Sequence, residues 1–503
     1  MKVAVIGAGL GGLAVAVRLA RAGYSVDVYE ANPYAGGKAT VYEVGEFRFD
    51  AGPSLFTMPQ YIEDLFTLCD EDIQEHFPYH KLNHICNYYF EDGTEIIAHA
   101  NPSEFAAEIE NKTTDKASGV LKFLQKSKKI YAVTKGLFLE KSLHKISTYF
   151  SKAAFKGYAH LHQIDALTTM GKVVDKYFKD SRTQRLFKRY ATYNGSNPYQ
   201  APATLNIIPH LEYGIGAYFP KNGIHGITQA LLYLCEKTGV KIHLNTKVEK
   251  IVHEGGKVCG VELRQQSTAN SPQQPVDSRP STVNCETVVS NCDVYFTYKH
   301  LLADVTFPSK ILNQPRSSSA LIFYWGIDKQ FPKLDLHNIL FSEDYETEFD
   351  DLFNKKSLYA DPTVYINITS KYKPDDAPQG GENWFVMINA PHIEGQNWDE
   401  LVATARLNII DKINRVLKTD IEKYIVAEKT LDPRGIESVT QSYLGSLYGT
   451  SSNNRMAAFY RHPNFSKKIK GLYFVGGSVH PGGGIPLVLS SAKIVADMVG
   501  NAR

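Results

Sequence analysis

The chain has 503 residues, about three times the ~150 of an ordinary domain, so two or three domains are expected. With 43% hydrophobic and 21% charged residues it reads as globular, neither disordered nor fibrous. Its 55 Lys+Arg and 53 Asp+Glu nearly cancel, which argues against a nucleic-acid binder, because neutralising phosphates takes a net basic face.

The first segment, Lys2 then VAVIGAGLGGLAVAV, has the outline of a short leader peptide, but its four glycines spoil a leader helix. Arg18 and Arg21 follow at once, and no small-residue cleavage site precedes them. A βαβ unit accounts for every part. Lys2–Ile6 is a buried strand, Gly7 makes the turn, Gly9 admits a pyrophosphate, and Gly12 lets the next helix pack closely. Ala8 and Leu10 complete the loop, and a helix from Leu10 to Ala22 would aim its N–H groups at the phosphates. The strand Ser25–Tyr29 ends on Glu30, with Ala31 beside it, where a carboxylate accepts ribose hydroxyls. The acid disfavours a 2′-phosphate, leaving FAD or NAD.

Residues 31–38 then bring Gly36, Gly37 and Lys38, and residues 47–54 read FRFDAGPS, ending on Gly52-Pro53-Ser54. This pair of motifs resembles the glutathione-reductase-type flavoproteins. That resemblance implies FAD, with Lys38 near the pyrophosphate and the Gly52-Pro53-Ser54 turn facing the isoalloxazine.

Further along, Asn87–Phe90 and Glu95–Ala98 read as a hairpin turned by Asp92-Gly93. Residues 121–160 hold nine lysines (122, 126, 128, 129, 135, 141, 145, 152 and 156) against one acid, Glu140. Leu143, Ile146, Phe150 and Ala153 recur there at helical spacing, which suits either a solvated helical lid or an interfacial anchor. Leu137 and Phe138 join Ile146 and Phe150 as candidates for the headgroup boundary. Residues 182–220, dense in Tyr with Asn-Gly and Asn-Pro turns, read as a loop and strand edge lining a pocket. A helix from Gly226 and strands at 240–244, 247–251, 258–263 and 287–291 return to the dinucleotide fold. Residues 264–282 read as a polar surface loop. Strands at 320–325, 364–368 and 384–388 and a helix at 399–417 follow. The six cysteines form no C-x-x-C pair and read as buried free thiols of a reducing, cytoplasmic compartment; no metal site is expected. No run reaches the ~18 apolar residues of a spanning helix.

The last segment places Gly476, Gly477, His480, Gly483, Gly484, Ile485 and Pro486 in a glycine loop between a strand and a helix. The pattern V-G-G-x-x-H-P-G-G-G-I-P resembles the signature of bacterial carotenoid (phytoene-type) desaturases, and with the N-terminal motifs the resemblance spans essentially the whole chain. It implies an α/β protein: a glutathione-reductase-type, Rossmann-like FAD-binding domain (1–60, 221–293, 471–503) with an inserted substrate domain (61–220, 294–470). The insert would contain an antiparallel sheet and a helical, membrane-facing lid at about 111–165. The implied reaction is desaturation of an acyclic carotenoid, with the overall look leaning to enzymes that act on the 3,4 bond of a 1-hydroxylated end. Phytoene desaturase is the alternative, and isomerase, saturase, amine oxidase or a non-catalytic isoprenoid escort are more distant ones. The resemblance also puts backbone at Val248 against adenine. It implies a peripheral protein meeting anionic lipid, with oxygen or a quinone as electron acceptor. His480 is the one catalytic candidate, as a general base, beside a plainer role orienting the flavin loop.

Overall fold

The computed structural model describes residues 1–160, 163–266 and 280–500. Val3, Ala4, Val5 and Ile6 are all buried, as expected of a strand covered on both faces. That strand, Lys2–Ile6, is the centre of a five-stranded sheet in the order Lys241–His243, Ser25–Tyr29, Lys2–Ile6, Thr287–Ser290, Leu472–Phe474. Every pairing in it is parallel. Helices Leu10–Arg21, Gly226–Lys237 and Ile485–Gly500 supply Leu13, Val17, Leu231, Leu234, Leu489 and Val495 to the same core. Helix Gln60–Leu68 packs there as well, through Tyr61, Ile62, Leu65 and Phe66. The border expected at residue 60 therefore cuts through packed structure.

A seven-stranded sheet forms the second layer, in the order Ile425–Leu431, Ser319–Ile327, Glu382–Ala390, Val364–Asn367, His337–Leu340, His84–Tyr89, Glu95–His99. It is antiparallel except where His337–Leu340 meets His84–Tyr89 in parallel. Helix Trp398–Leu417 covers one face, packing Ile409 and Ile413 with Trp325 and Trp384.

Three segments differ from the expectations. Residues 182–220 are mostly helical turns, not loop and strand edge: Asp180 caps helix Ser181–Lys188, and short helices follow at Arg189–Asn194 and Ala203–Ile207. Only Ala217–Pro220 is a strand. The helical spacing of Leu143, Ile146 and Phe150 does not make one helix, because Ser151 turns extended between the 3-10 turn Ile146–Phe150 and helix Lys152–Ala159. Its hydroxyl accepts from the Ala154 N–H, starting a new helix there. The 264–282 stretch lies largely outside the described residues; its flanks, Lys257–Gln265 and Ser281–Asn284, pair antiparallel. All six cysteines are free, but Cys259 is exposed, since it sits on the outward face of strand Lys257–Gln265, and Cys292 is half-buried.

Candidate functional site

The carboxyl ends of the parallel strands open on a cavity of about 750 Å³. Open parallel sheets place ligands there. Strand Lys2–Ile6 runs into Gly7, whose φ of +94° favours glycine. A β-carbon on Gly12 would stand 2.0 Å from the Gly7 carbonyl oxygen, so the helix can press on the loop only with glycine there. Helix Leu10–Arg21 begins with no side-chain cap, which leaves its first N–H groups for a ligand. The Gly36 N–H donates to the Ala8 carbonyl at 2.8 Å and clasps the second glycine pair to the first loop. A β-carbon on Gly52 would lie 2.0 Å from the Lys38 carbonyl oxygen.

Gly9, Leu10, Gly36, Gly37, Lys38, Gly52, Pro53 and Ser54 line the cavity, as do Gly476, Gly477, Gly483, Gly484, Ile485 and Pro486. Gly7, Ala8, Gly12, Glu30, Ala31 and Val248 do not form its wall. Val248 is buried in strand Thr246–Glu254. Glu30 is buried, and its two oxygens accept from the Ala8 and Asn32 N–H groups at 2.8 and 2.9 Å, keeping further lone pairs for a ligand. The Lys38 ammonium, expected beside a pyrophosphate, lies in the cavity wall and donates to the Leu447 carbonyl at 2.9 Å. Burial lowers its pKa to about 8.

Two braces had no signal in the sequence motifs. Asn291, at the end of strand Thr287–Ser290, lies between the two glycine loops: β-carbons on Gly9, Gly11 and Gly476 would meet its side chain at 2.8, 2.7 and 2.9 Å. Arg461 donates to the carbonyls of Tyr448, Gly477 and Thr450 at 2.9, 3.1 and 2.8 Å, pinning the C-terminal loop. Position at the end of a parallel strand was the one clue available for Asn291. His480 is buried, and its Nε2 donates to the Lys141 carbonyl at 2.9 Å. Burial drops its pKa to about 3, so it is neutral near pH 7 and a feeble base.

Beyond the glycine wall the cavity is mainly apolar, with Leu55, Ile85, Leu205, Ile322, Ile339, Phe385 and Met387 among its lining. One polar cluster interrupts it. Arg189 and Glu212 pair at 3.2 Å, both buried, and Tyr190 and Tyr193 donate to the same carboxylate. Close by, Ser54 shares a hydrogen bond with the Tyr365 hydroxyl at 2.8 Å, and that hydroxyl reaches His337 Nδ1 at 2.7 Å.

Phe138, Leu139, Ala458 and Phe459 line another part of the cavity. Exposed apolar side chains follow in the same stretches of chain: Ile146, Phe150, Phe155 and Leu167 in residues 146–167, and Met456 and Tyr460 beside Ala458 and Phe459. Leu137, a candidate for the headgroup boundary, is buried with Leu143 and Ala154, because this segment folds back on residues 458–459. Phe138 is half-buried against the Phe459 ring for the same reason. Of the lysines, Lys122, Lys128 and Lys129 are exposed on helix Ala117–Thr134, whereas Lys126 pairs with Asp165 at 2.5 Å and Lys135 with Glu140.

This wall fits a dinucleotide: an uncapped helix start, an adjacent buried carboxylate, and glycines where β-carbons would crowd the loops. Residues 10–499 match the family described as flavin containing amine oxidoreductase. The chain is 51% identical over 502 residues to a 1-hydroxycarotenoid 3,4-desaturase of Flavobacterium sp. (strain P99-3), covering 100% of this chain and 99% of that protein. It is 31% identical to a 4,4'-diaponeurosporene oxygenase of Staphylococcus haemolyticus, covering 99% and 97% respectively. Among solved structures, cyclohexylamine oxidase from Brevibacterium oxydans shares the fold at a TM-score of 0.61 and 13% identity, covering 100% of this chain and 99% of that one.

Proposed function

The chain belongs to the flavin-containing amine oxidoreductase family and is an FAD-dependent oxidoreductase; from that premise we propose that it desaturates an acyclic carotenoid carrying a hydroxyl at one end. The observation that carries this reading is the full-length 51% identity to a desaturase of that substrate. The cavity supports it, since one continuous space joins the glycine cradle to an apolar chamber.

In this reading the N–H groups at the start of helix Leu10–Arg21 hold the pyrophosphate and Glu30 takes the ribose. Gly52-Pro53-Ser54 and the loop from Gly476 to Pro486 flank the flavin ring. Residues 1–68, 221–293 and 471–500 then hold the cofactor, and 69–220 with 294–470 hold the substrate. Bound FAD supplies a two-electron acceptor able to take a hydride from a C–H bond beside the polyene. The apolar lining excludes water from the polyene, while Arg461 and Asn291 brace the glycine loops that would hold the cofactor. His480 orients backbone: its N–H is committed to the Lys141 carbonyl.

A carotenoid resides in lipid, and among the described residues no helix is long and apolar enough to cross a membrane. The exposed Ile146, Phe150, Phe155 and Leu167 beside the cavity support a peripheral docking face, with Lys122, Lys128 and Lys129 attracting anionic headgroups at up to ~1 kcal/mol each. The decisive experiment incubates the FAD-loaded protein with liposomes containing 1-hydroxylated acyclic carotenoid, phytoene, or neither plus an amine. A product two hydrogens lighter from the hydroxylated chain is expected. Turnover of phytoene alone, or peroxide from the amine alone, overturns the reading.

A further inference from the structure

Within the apolar chamber, buried polar atoms without partners mark what the chamber is built to receive. Among the described residues that line it, His337 Nε2, Arg189 Nε, Asn194 Oδ1 and His480 Nδ1 are buried and have none. Three of the four lie on the substrate side, with His337 only 4% exposed and Arg189 6%. A buried N–H left unpaired is costly, so a site that keeps one has a ligand or water to give it to.

The tautomer of His337 follows from its neighbours. Asn367 Nδ2 donates to the Leu336 carbonyl at 2.8 Å, which fixes that end of the amide as the nitrogen. The same nitrogen lies 3.1 Å from His337 Nδ1, so Nδ1 must accept and the ring proton is on Nε2. Burial and the nearby Arg189 charge hold the ring neutral, with its pKa lowered to about 3. The result is a fixed, uncharged N–H donor. Arg189 offers a second N–H at Nε, but its charge is already matched by Glu212. An anionic ligand would add an unmatched buried charge, whereas an uncharged oxygen would not. The orphan Asn194 Oδ1 supplies an acceptor for a hydroxyl proton.

We propose that His337, with Arg189 and Asn194, reads the terminal hydroxyl of the polyene: the oxygen accepts from the N–H donors and its proton goes to the amide oxygen. This rests on the function proposed above and deepens it by naming what recognises the end group. The placement also suits the chemistry. Ser54, on the turn assigned to the flavin, connects through Tyr365 to His337 by two hydrogen bonds. A hydroxyl held there keeps the carbons a few bonds further along close to that turn, and makes the bond to be oxidised the one near the hydroxylated end.

The test compares two acyclic polyenes identical except for the terminal hydroxyl, using the FAD-loaded enzyme. Binding is read as quenching of flavin fluorescence, and turnover as kcat/KM. The wild-type protein is expected to favour the hydroxylated chain by about tenfold or more, the discrimination of a site whose polar groups go unpaired with the wrong ligand. His337→Leu should bring the preference in both readouts to near unity. His337→Gln, which restores an N–H donor, should recover most of it, an outcome that mere packing at this position would not give. Asn194→Ala, read in the same way, tests the acceptor should the leucine variant lose its FAD, and should reduce the preference severalfold. A wild-type enzyme that turns over both chains equally, or a leucine or alanine variant that keeps the wild-type preference, overturns this assignment while leaving the desaturase reading intact. A wild-type enzyme that turns over neither chain fells the desaturase reading and this one with it.

Discussion

The glycine cradle and the Arg189 cluster line the same cavity but are built in opposite ways. The cradle is backbone: its loops are shaped by glycines and clasped by N–H and C=O groups, as between Gly36 and Ala8. The cluster is side chain: Arg189, Glu212, Tyr190 and Tyr193 hold one another through charge and hydroxyl contacts. A backbone wall fails where an added atom meets backbone, as at Gly12 and Gly52, whereas a side-chain wall fails when a partner is lost. The two should therefore fail under different substitutions.

The largest effect is expected in the cradle. Gly12→Val places its β-carbon where backbone oxygen already stands, and we expect a loss above about 4 kcal/mol with no retained FAD, measured by thermal unfolding and flavin absorbance. Gly9→Ala should separate stability from binding, because its new methyl meets only the movable Asn291 side chain. Its melting temperature should stay near wild type while flavin occupancy falls. In the cluster, Arg189→Leu strands the Glu212 carboxylate and should cost ~3–5 kcal/mol in urea unfolding. Adding Glu212→Leu should recover much of that, and a simple sum of the two single losses would break the contrast.

A smaller, graded effect concerns acid. Burial depresses His337 and His480 to about 3 and His462 to about 4. The unfolded chain protonates these groups near their ordinary value of 6.5, while the folded one does not until far lower. Their contribution is thus complete above that value and is lost as pH falls toward 4, at up to ~1.4 kcal/mol per pH unit for each. Melting temperatures between pH 7.5 and 5 should show this fall, and His462→Gln should flatten it. The smallest effect on stability lies at the exposed face. Ile146→Ser with Phe150→Ser should change unfolding by within ~0.5 kcal/mol, yet weaken flotation with anionic liposomes; unchanged flotation would place the dock elsewhere.

The same contrast explains what could be read in advance. Backbone constraints leave a one-letter trace, because Gly12 and Gly52 sit where no β-carbon fits and Gly7 takes a φ of +94° that favours glycine, so the cradle's outline stood in the sequence along with FAD. The parallel strands were visible as short apolar runs such as VAVI and TVVS. Side-chain walls leave no such trace. Arg189 and Glu212 are 23 residues apart on helical turns, and His337 comes from a distant strand. Nothing in their spacing announces that they meet. Lys38 shows a limit even within a motif: its position was legible, but its hydrogen bond to the Leu447 carbonyl is one no local pattern specifies.

The order of the parallel sheet has a consequence for the chain's synthesis. Its strands come from residues 2–29, 241–290 and 472–474, and helix Ile485–Gly500 packs directly on helix Leu10–Arg21. A ribosome that has made the first βαβ unit still lacks the strand, the loop and the helix that close the far side. Contacts this remote in sequence form late and slowly. Closure of this layer thus waits for strand Leu472–Phe474 and helix Ile485–Gly500, and a chain without them cannot complete the glycine cradle.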